Sequence, residues 1–259
     1  MTVLGVQQTR RVAPDAAGPF PPYHRWDRNF FLAYVALFWL GILMGFVPDV
    51  IQHVQKHKPP YPLIVHFHAA AFVGWLALVT TQVLLIRARR TDLHRKLGVA
   101  GVFLAIAMVV LGPVTALVVD HYRLGTPDSD PPFLSVQLFD IIGFAGMAAA
   151  AIALRAYPSA HKRLMLLALL SIVDAGFARW LGDPMTKLLG NGFWPFVAES
   201  YLANVILIFG IGGYDLVTRR RLHPAYLAGA AWVLATQMTA AWLYVSPFWK
   251  PIALNIIGR

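Results

Sequence analysis

The chain has no cysteine among its 259 residues, which excludes disulfide bonds, thiolate metal sites and a cysteine nucleophile. Charged residues are also scarce: they make up 13% of the chain, whereas an ordinary soluble domain carries about 25%. The metalloprotease pattern HExxH is missing, and the last apolar block has no lysine that would bind retinal as a Schiff base. What remains is a chain that is 58% hydrophobic.

The hydrophobic residues lie in seven long blocks. A bilayer core about 30 Å thick is spanned by about 20 apolar helical residues, because each residue adds about 1.5 Å. Lipid offers backbone groups no hydrogen-bond partner, so such blocks are expected to be helical. We therefore predict an all-α bundle of seven transmembrane helices. The predicted helices cover residues 29–53, 61–87, 97–120, 133–156, 163–182, 195–217 and 223–248.

The distribution of the net charge of +10 predicts how the chain is oriented. Most Lys and Arg residues fall before the first helix and in the turns at 87–98, 154–165 and 218–226. By the positive-inside rule the N-terminus is cytoplasmic, the C-terminus is outside, and three hairpins follow the first helix. The basic surplus then meets anionic lipid of the bilayer, and no nucleic acid is expected as a partner. Residues 1–22 are predicted to be a flexible cytoplasmic tail and residues 23–259 a single transmembrane domain.

An ionisable residue at bilayer depth costs roughly 2.5–3.5 kcal/mol and therefore usually faces the protein interior. Six residues of the predicted helices are the candidates for such positions. They are His66, His68, Asp140, Asp174, Arg179 and Glu199. On the predicted topology all six lie in the outer half of the membrane or near its middle, so we expect a polar pocket that opens outward. The four that are not histidine are the candidates for catalytic roles, since burial can adapt a carboxyl group to act as acid or base.

The two histidines of HFH at 66–68 point about 200° apart on a helix, so only one of them can face a given ligand. His68 shares a helix face with Trp75 and Gln82 at seven-residue spacing, which favours His68 as the inward residue. When residues are counted from a hairpin turn near position 93, His66 or His68 is expected at the level of His121.

Three interpretations of these residues are open. The first is an interhelical hydrogen-bond network in which Asp140 or Asp174 pairs with Arg179. The second is heme b held by two neutral imidazoles on facing helices. The third is a divalent metal bound by His66 or His68 together with carboxylates. The candidate cofactor-binding residues are the pairs His68 with His121 and His94 with His161, together with Trp75 and Gln82.

Three histidines, His94, His161 and His223, stand at the predicted starts of returning helices. The positive end of a helix dipole disfavours a charged imidazole there. We therefore predict that these three side chains are neutral at pH 7. In that form they are able to cap the turns or to ligate heme.

The segments HFHAAAFVGWLALVTTQVLLIRARRTDLHRKLG and AHKRLMLLALLSIVDAGFAR resemble a group of bacterial multi-pass membrane proteins that carry no assigned activity. The shared features are a histidine in a helix that ends in Gln and Arg, an HR-x-LG turn and a later H-x-R-L-M turn, over roughly residues 60–180. A more distant similarity is to cytochrome b561-like and ferric-reductase-like membrane hemoproteins, in which histidines of neighbouring helices ligate heme b. This resemblance implies a bacterial inner-membrane protein whose candidate heme ligands are His68, His94, His121 and His161.

These features together predict an inner-membrane redox protein that transfers electrons through heme b or a quinone. An alternative is a membrane-embedded enzyme that acts on a lipid or isoprenoid through the His/carboxylate pocket, with or without a divalent metal. A transporter or assembly factor without any cofactor is the third class.

Overall fold

The computed structural model describes residues 20–258, and within that range the chain forms eight α-helices and no strand. The prediction of an all-α fold is therefore confirmed. A 3₁₀ turn, Pro131–Phe133, leads into the fourth helix. The helices are α1 Asp27–Gln55, α2 Leu63–Arg87, α3 Thr91–Arg123, α4 Leu134–Ala153, α5 Pro158–Leu189, α6 Phe193–Arg219, α7 Pro224–Val245 and α8 Trp249–Ile257.

Six of these helices, α1 to α6, are long and apolar enough to cross a membrane. They indicate a multi-pass protein in a lipid bilayer. The helix α7 has 22 residues, which is about 33 Å at 1.5 Å per residue, but it does not belong to the six. Its threonines and Gln237 reduce its apolarity.

Two segments depart from the predicted boundaries. The fifth helix was predicted to end at residue 182, but α5 continues to Leu189 with Pro184 inside its last two turns. A proline that late in a helix removes one backbone bond without ending the packing of the turns around it. The chain also forms an unpredicted last helix, α8, because Trp249, Ala253 and Ile257 are spaced four residues apart and bury one face.

The helix α5 lies at the centre of the bundle and contacts α1, α4, α6 and α7. Residues 166–170 of α5 are all almost fully buried. A helix that is apolar and buried on every side is typical of the core of a bundle. The remaining spans expose large aliphatic and aromatic side chains such as Phe103 and Val110, which are 69% and 58% exposed and face the lipid that the structure does not include.

Glycines allow α1 and α5 to cross with their backbones in contact. A Cβ placed on Gly45 would lie 2.1 Å from the carbonyl oxygen of Gly176, and one on Gly176 would lie 2.7 Å from that of Gly41. Small residues at helix crossings are typical of membrane proteins. In lipid there is no hydrophobic force that drives helices together, so their association depends on close van der Waals packing.

The two ends of the bundle differ in charge. The end at which α3, α5 and α7 begin holds Asp27 among several cations, including Lys162 and Arg219, and we call it the basic face. The opposite end, the acidic face, holds Asp49, Asp128 and Asp130.

Of the predicted tail, residues 1–19 lie outside the described residues. Residues 20–22 lie on the basic face: Lys162 donates a 2.8 Å hydrogen bond to the carbonyl of Pro22, and Arg219 donates one to the carbonyl of Pro21.

Candidate functional site

Two carboxyl groups meet in the middle of the bundle. The side chains of Asp140 in α4 and Asp174 in α5 lie close enough to interact. Asp174 is 2% exposed. The hydroxyl of Tyr201 in α6 approaches Asp140 Oδ1 at 3.5 Å. Three helices therefore converge on one pair of acids, which two of the predicted catalytic residues form.

The two carboxyl oxygens of Asp174 differ in their hydrogen bonding. Its Oδ1 accepts a 2.9 Å hydrogen bond from the backbone N–H of Ala175. Its Oδ2 is buried without a donor among the described residues. A proton shared between the two carboxyl groups would supply the hydrogen that this oxygen lacks, since two adjacent carboxylates repel each other when both are ionised.

Two buried amides lie on α6 and α7. The amide of Asn204 donates to the carbonyl of Leu170 at 2.5 Å, but its Oδ1 is unpaired within the described part of the chain. Neither polar atom of the Gln237 side chain in α7 has a partner there, although the residue is 1% exposed. Unsatisfied buried polar atoms at this density are the usual positions of ordered water.

Arg179 does not pair with either member of the carboxyl pair, as the hydrogen-bond-network interpretation required. Its Nε lies 3.7 Å from Asp49 Oδ2, and its Nη1 donates to the carbonyl of Ala175 at 2.8 Å. The reason is helical geometry: position 179 is rotated about 140° from position 174, and the long side chain extends toward the acidic face.

A cavity with several charged wall residues opens at the acidic face. It has a volume of about 310 Å³. Asp49, the carboxylate paired with Arg179, is part of its wall. Arg179 is also within electrostatic range of Asp174. The other charged and aromatic wall residues include Lys58, Tyr61, Arg123 and Asp128. Arg179 therefore interacts electrostatically both with an acid of the cavity wall and with the carboxyl pair.

The structure does not bring His68 and His121 together. His68 stacks on Phe72 at 4.1 Å between ring centres and faces the backbone of Leu111. His121, ten residues or about 15 Å further along α3, is exposed, and its Nδ1 lies 2.9 Å from the carbonyl oxygen of Ile257 in α8. The expectation that they lie level is wrong because the turn centres on Arg89 and Arg90, not on position 93, and His68 and Leu111 are equally far from it.

His66 is exposed on α2, whereas His68 is half-buried and its Nδ1 has no partner among the described residues. The seven-residue stripe continues inward with Trp75, which is 2% exposed and packs edge-on against Phe144. The indole N–H of Trp75 also has no acceptor in the described range.

His94 and His161 meet near the basic face. Their ring centres are 6.3 Å apart and the rings are perpendicular. The Nδ1 of His161 lies 2.8 Å from the carbonyl oxygen of Ala151, and the amide of Gln82 donates to the backbone carbonyl of His94. The Nδ1 of His94 is buried and unpaired within the described residues. The hairpins α2–α3 and α4–α5 thus each place one histidine at a shared position.

The metal interpretation combined His66 or His68 with carboxylates. In residues 20–258 there is no group of three or more histidine or acidic side chains placed to hold a metal ion. Glu199 lies on α6 with Thr186 donating to its Oε2 at 2.7 Å.

A buried ion network on the basic face was not anticipated. Arg163 donates to both carboxylate oxygens of Asp215, 2.6 Å from Nε to Oδ2, and both side chains are 1% exposed. Arg219 holds Asp27 through two hydrogen bonds of 2.9 and 2.8 Å, and Lys162 adds a third of 2.7 Å. The available signal was Asp215 near the end of an apolar block, because an acid in such a segment needs a partner.

His223 adjoins this network and caps α7: its Nδ1 accepts a 3.1 Å hydrogen bond from the backbone N–H of Ala225. Burial lowers the pKa of His223, and the positive charge of Arg163 lowers it further, while Asp215 opposes the shift. This direction agrees with the predicted neutral imidazole.

Comparisons with protein-family models, with curated proteins and with solved structures find no match to the chain.

Proposed function

We propose that the chain is a proton-coupled membrane transporter in which Asp140 and Asp174 bind and release the coupling proton. The observation that carries this proposal is the close approach of the Asp140 and Asp174 carboxyl groups in the middle of a membrane bundle, where Asp174 is 2% exposed. Ionisable residues at this depth are costly and are typical of proton relays and transport pathways. A structural role alone would be filled as well by a neutral hydrogen-bonding pair.

Two further features support a path for the proton. The cavity of about 310 Å³ at the acidic face reaches Asp49, which pairs with Arg179. The unpaired amide atoms of Asn204 and Gln237 lie on α6 and α7, which both pack against α5. Water that bridges such atoms would connect the pair with the cavity.

Infrared spectroscopy of the purified protein tests the proton directly. We expect a carbonyl-stretch band of a protonated carboxylic acid that disappears in Asp140→Asn and also in Asp174→Asn, because the two groups hold one proton jointly. Asp49→Asn is the matched control, since that acid is half-exposed and paired with Arg179, and it leaves the band in place. A band that survives both central substitutions contradicts the proposal.

We further propose that α7 crosses the membrane as the seventh span, with the N-terminus inside. His223, at the start of α7, contacts Phe20 on the basic face at 4.7 Å between ring centres. After α7, Trp249 donates to the carbonyl of Pro132, and Ile257 meets His121 at the other end of the bundle. A helix that joins opposite ends of a membrane bundle has to traverse it. The cations of the basic face favour the cytoplasmic side.

The geometry of His94 and His161 favours heme-linked redox chemistry as a second candidate function. Two imidazoles that share one metal ion at about 2.0–2.1 Å per bond have ring centres about 6 to 6.5 Å apart. The observed separation of 6.3 Å fits that arrangement. The carbonyl of Ala151 holds one nitrogen of His161 and leaves the other for a ligand. Heme b bound there would supply one-electron transfer, in line with a quinone partner.

An absorption spectrum of protein expressed with added heme tests this second candidate. We expect a Soret band that is lost in His94→Ala and in His161→Ala. His121→Ala is the control, because that side chain is exposed and contacts α8. A protein without a Soret band eliminates the redox function and leaves the proton-coupled one.

A further inference from the structure

A groove on the membrane-facing side of the bundle runs between α1, α5 and α6. It has a volume of about 210 Å³. Its walls are largely aliphatic and aromatic, and include Leu37, Phe177, Leu181, Leu202, Ile206 and Leu207. Such walls match a hydrocarbon chain. One charged side chain, that of Glu199, belongs to the same groove.

Glu199 has no cation of its own. Thr186 donates a 2.7 Å hydrogen bond to Oε2. Among residues 20–258 no lysine, arginine or histidine nitrogen forms an ion pair with this carboxylate. A Cβ on Gly182 would lie 3.1 Å from Glu199 Cγ, so the absence of a side chain at Gly182 makes room for the glutamate. An unpaired charge in contact with lipid is costly, and a ligand that carries the opposite charge removes that cost.

The depth of Glu199 matches the boundary between headgroups and hydrocarbon. Glu199 lies six residues after the start of α6 at Phe193, which is about 9 Å of helix. Trp194, in the first turn of α6, is 70% exposed, and exposed aromatic residues are typical of a membrane interface. Leu207 lies eight residues beyond Glu199, about 12 Å deeper. The groove therefore offers a charge near the headgroups and an apolar wall below it.

We propose that this groove binds a phospholipid with a primary ammonium headgroup. The acyl chain lies along the wall from Leu202 to Leu207, and the ammonium group donates to the free Oε1 of Glu199. A primary ammonium has three N–H donors, and a charge-assisted bond of this kind is about twice as strong as a neutral one. A quaternary ammonium has no N–H to donate, and a phosphatidylglycerol headgroup has no cation.

This site is independent of the carboxyl pair. Glu199 and Tyr201 are two positions apart on α6 and point about 200° away from each other. Loss of lipid selectivity and loss of the proton-binding site are thus separate outcomes.

Native mass spectrometry of the full chain with phosphatidylethanolamine, phosphatidylcholine and phosphatidylglycerol of identical acyl chains tests the proposal. We expect wild type to bind the ethanolamine lipid about tenfold more tightly than the choline lipid, which is the effect of one charged hydrogen bond. Glu199→Gln keeps an acceptor for Thr186 and is expected to bind the two lipids equally.

Thr186→Val is the matched control. It removes the internal donor to Glu199, so the preference for the ethanolamine lipid is retained or enlarged. The thermal unfolding temperature of each variant, measured without added lipid, separates a folding defect from lost binding. Equal binding of all three lipids to wild type, a preference for phosphatidylglycerol, or a preference that persists in Glu199→Gln overturns the proposal.

Discussion

Among single residues, Arg163 and Asp215 form an ion pair in which both side chains are 1% exposed. Their bidentate contact satisfies both carboxylate oxygens. Arg163 also donates to the carbonyl of Ser159 in its own helix. The pair connects the start of α5 with the end of α6. Arg219, which pairs with Asp27, also lies 3.8 Å from Asp215 and so joins the two ion clusters.

We predict that Asp215→Asn lowers the free energy of unfolding by about 3–5 kcal/mol, because it leaves the Arg163 guanidinium buried without a counter-charge. Thermal unfolding of the purified protein in detergent measures the effect. Asp128→Asn, which removes an exposed pair with Lys58, serves as the comparison and is expected to leave the melting temperature unchanged. Equal melting temperatures for the two variants would show that the buried pair is dispensable.

At the scale of helices, the crossing of α1 and α5 depends on missing side chains. We predict that Gly45→Ala destabilises the fold by about 1–3 kcal/mol, because the added methyl overlaps the backbone of Gly176 and the helices must separate. Gly213→Ala in α6 is the control, since a Cβ there meets no atom within 4 Å. The melting temperatures of both variants, measured in the same detergent, decide the matter; a harmless Gly45→Ala would sink the argument.

The start of α7 depends on the protonation of His223. Its pKa is lowered in the folded state by burial and by Arg163, so the unfolded chain takes up the proton first as the pH falls. The cap therefore adds stability above the ordinary pKa of 6.5, and that contribution is lost as the pH falls from there to the lowered folded value.

We expect wild type to lose thermal stability between pH 7.5 and pH about 5 by more than His223→Asn does. Asparagine keeps a side-chain acceptor for the N–H of Ala225 but does not titrate in this range. Melting curves of both proteins over the pH series are the measurement. Parallel pH profiles would mean that the imidazole does not titrate as described.

For the whole molecule, the membrane topology is measurable by labelling of single introduced cysteines, because the chain has no cysteine of its own. Single substitutions Tyr157→Cys, Pro127→Cys and Gly258→Cys place a thiol in the α4–α5 turn, in the α3–α4 loop and after α8. With seven spans and the N-terminus inside, an impermeant maleimide labels the second and third from outside in intact cells. Tyr157→Cys is labelled only after permeabilisation. Labelling of positions 157 and 258 from the same side would show that α7 does not cross.

Sequence reasoning located the helices well but their contacts less well. Long apolar blocks specify membrane helices because lipid leaves the backbone no alternative, and α1 to α6 lie within several residues of the predicted ranges. Asp140 and Asp174 were identified as candidates because a charged residue inside an apolar segment is costly and rare. Their mutual contact, and the separation of both from Arg179, depended on the rotation of α5 about its axis.

The pairing of histidines shows the same division. His94 and His161 belong to different hairpins, and only the packing of α2–α3 against α4–α5 brings their rings within 6.3 Å. His68 and His121 share one hairpin, but its turn centres on Arg89 and Arg90 and not on position 93. His121 therefore lies about 15 Å along α3 from the level of His68. An error of one residue in the position of a turn changes the residue that faces a given position across the hairpin by two.

The amino-acid sequence by itself determined that this chain is helical and that its apolar blocks lie in a membrane, because these properties depend on hydropathy and backbone hydrogen bonding over twenty residues at a time. Only the tertiary structure decided which buried charges meet: Arg163 with Asp215, and Asp140 with Asp174. It also left Glu199 facing a groove without a cation. Those outcomes depend on helix rotation and register, where a shift of one residue turns a side chain by about 100°.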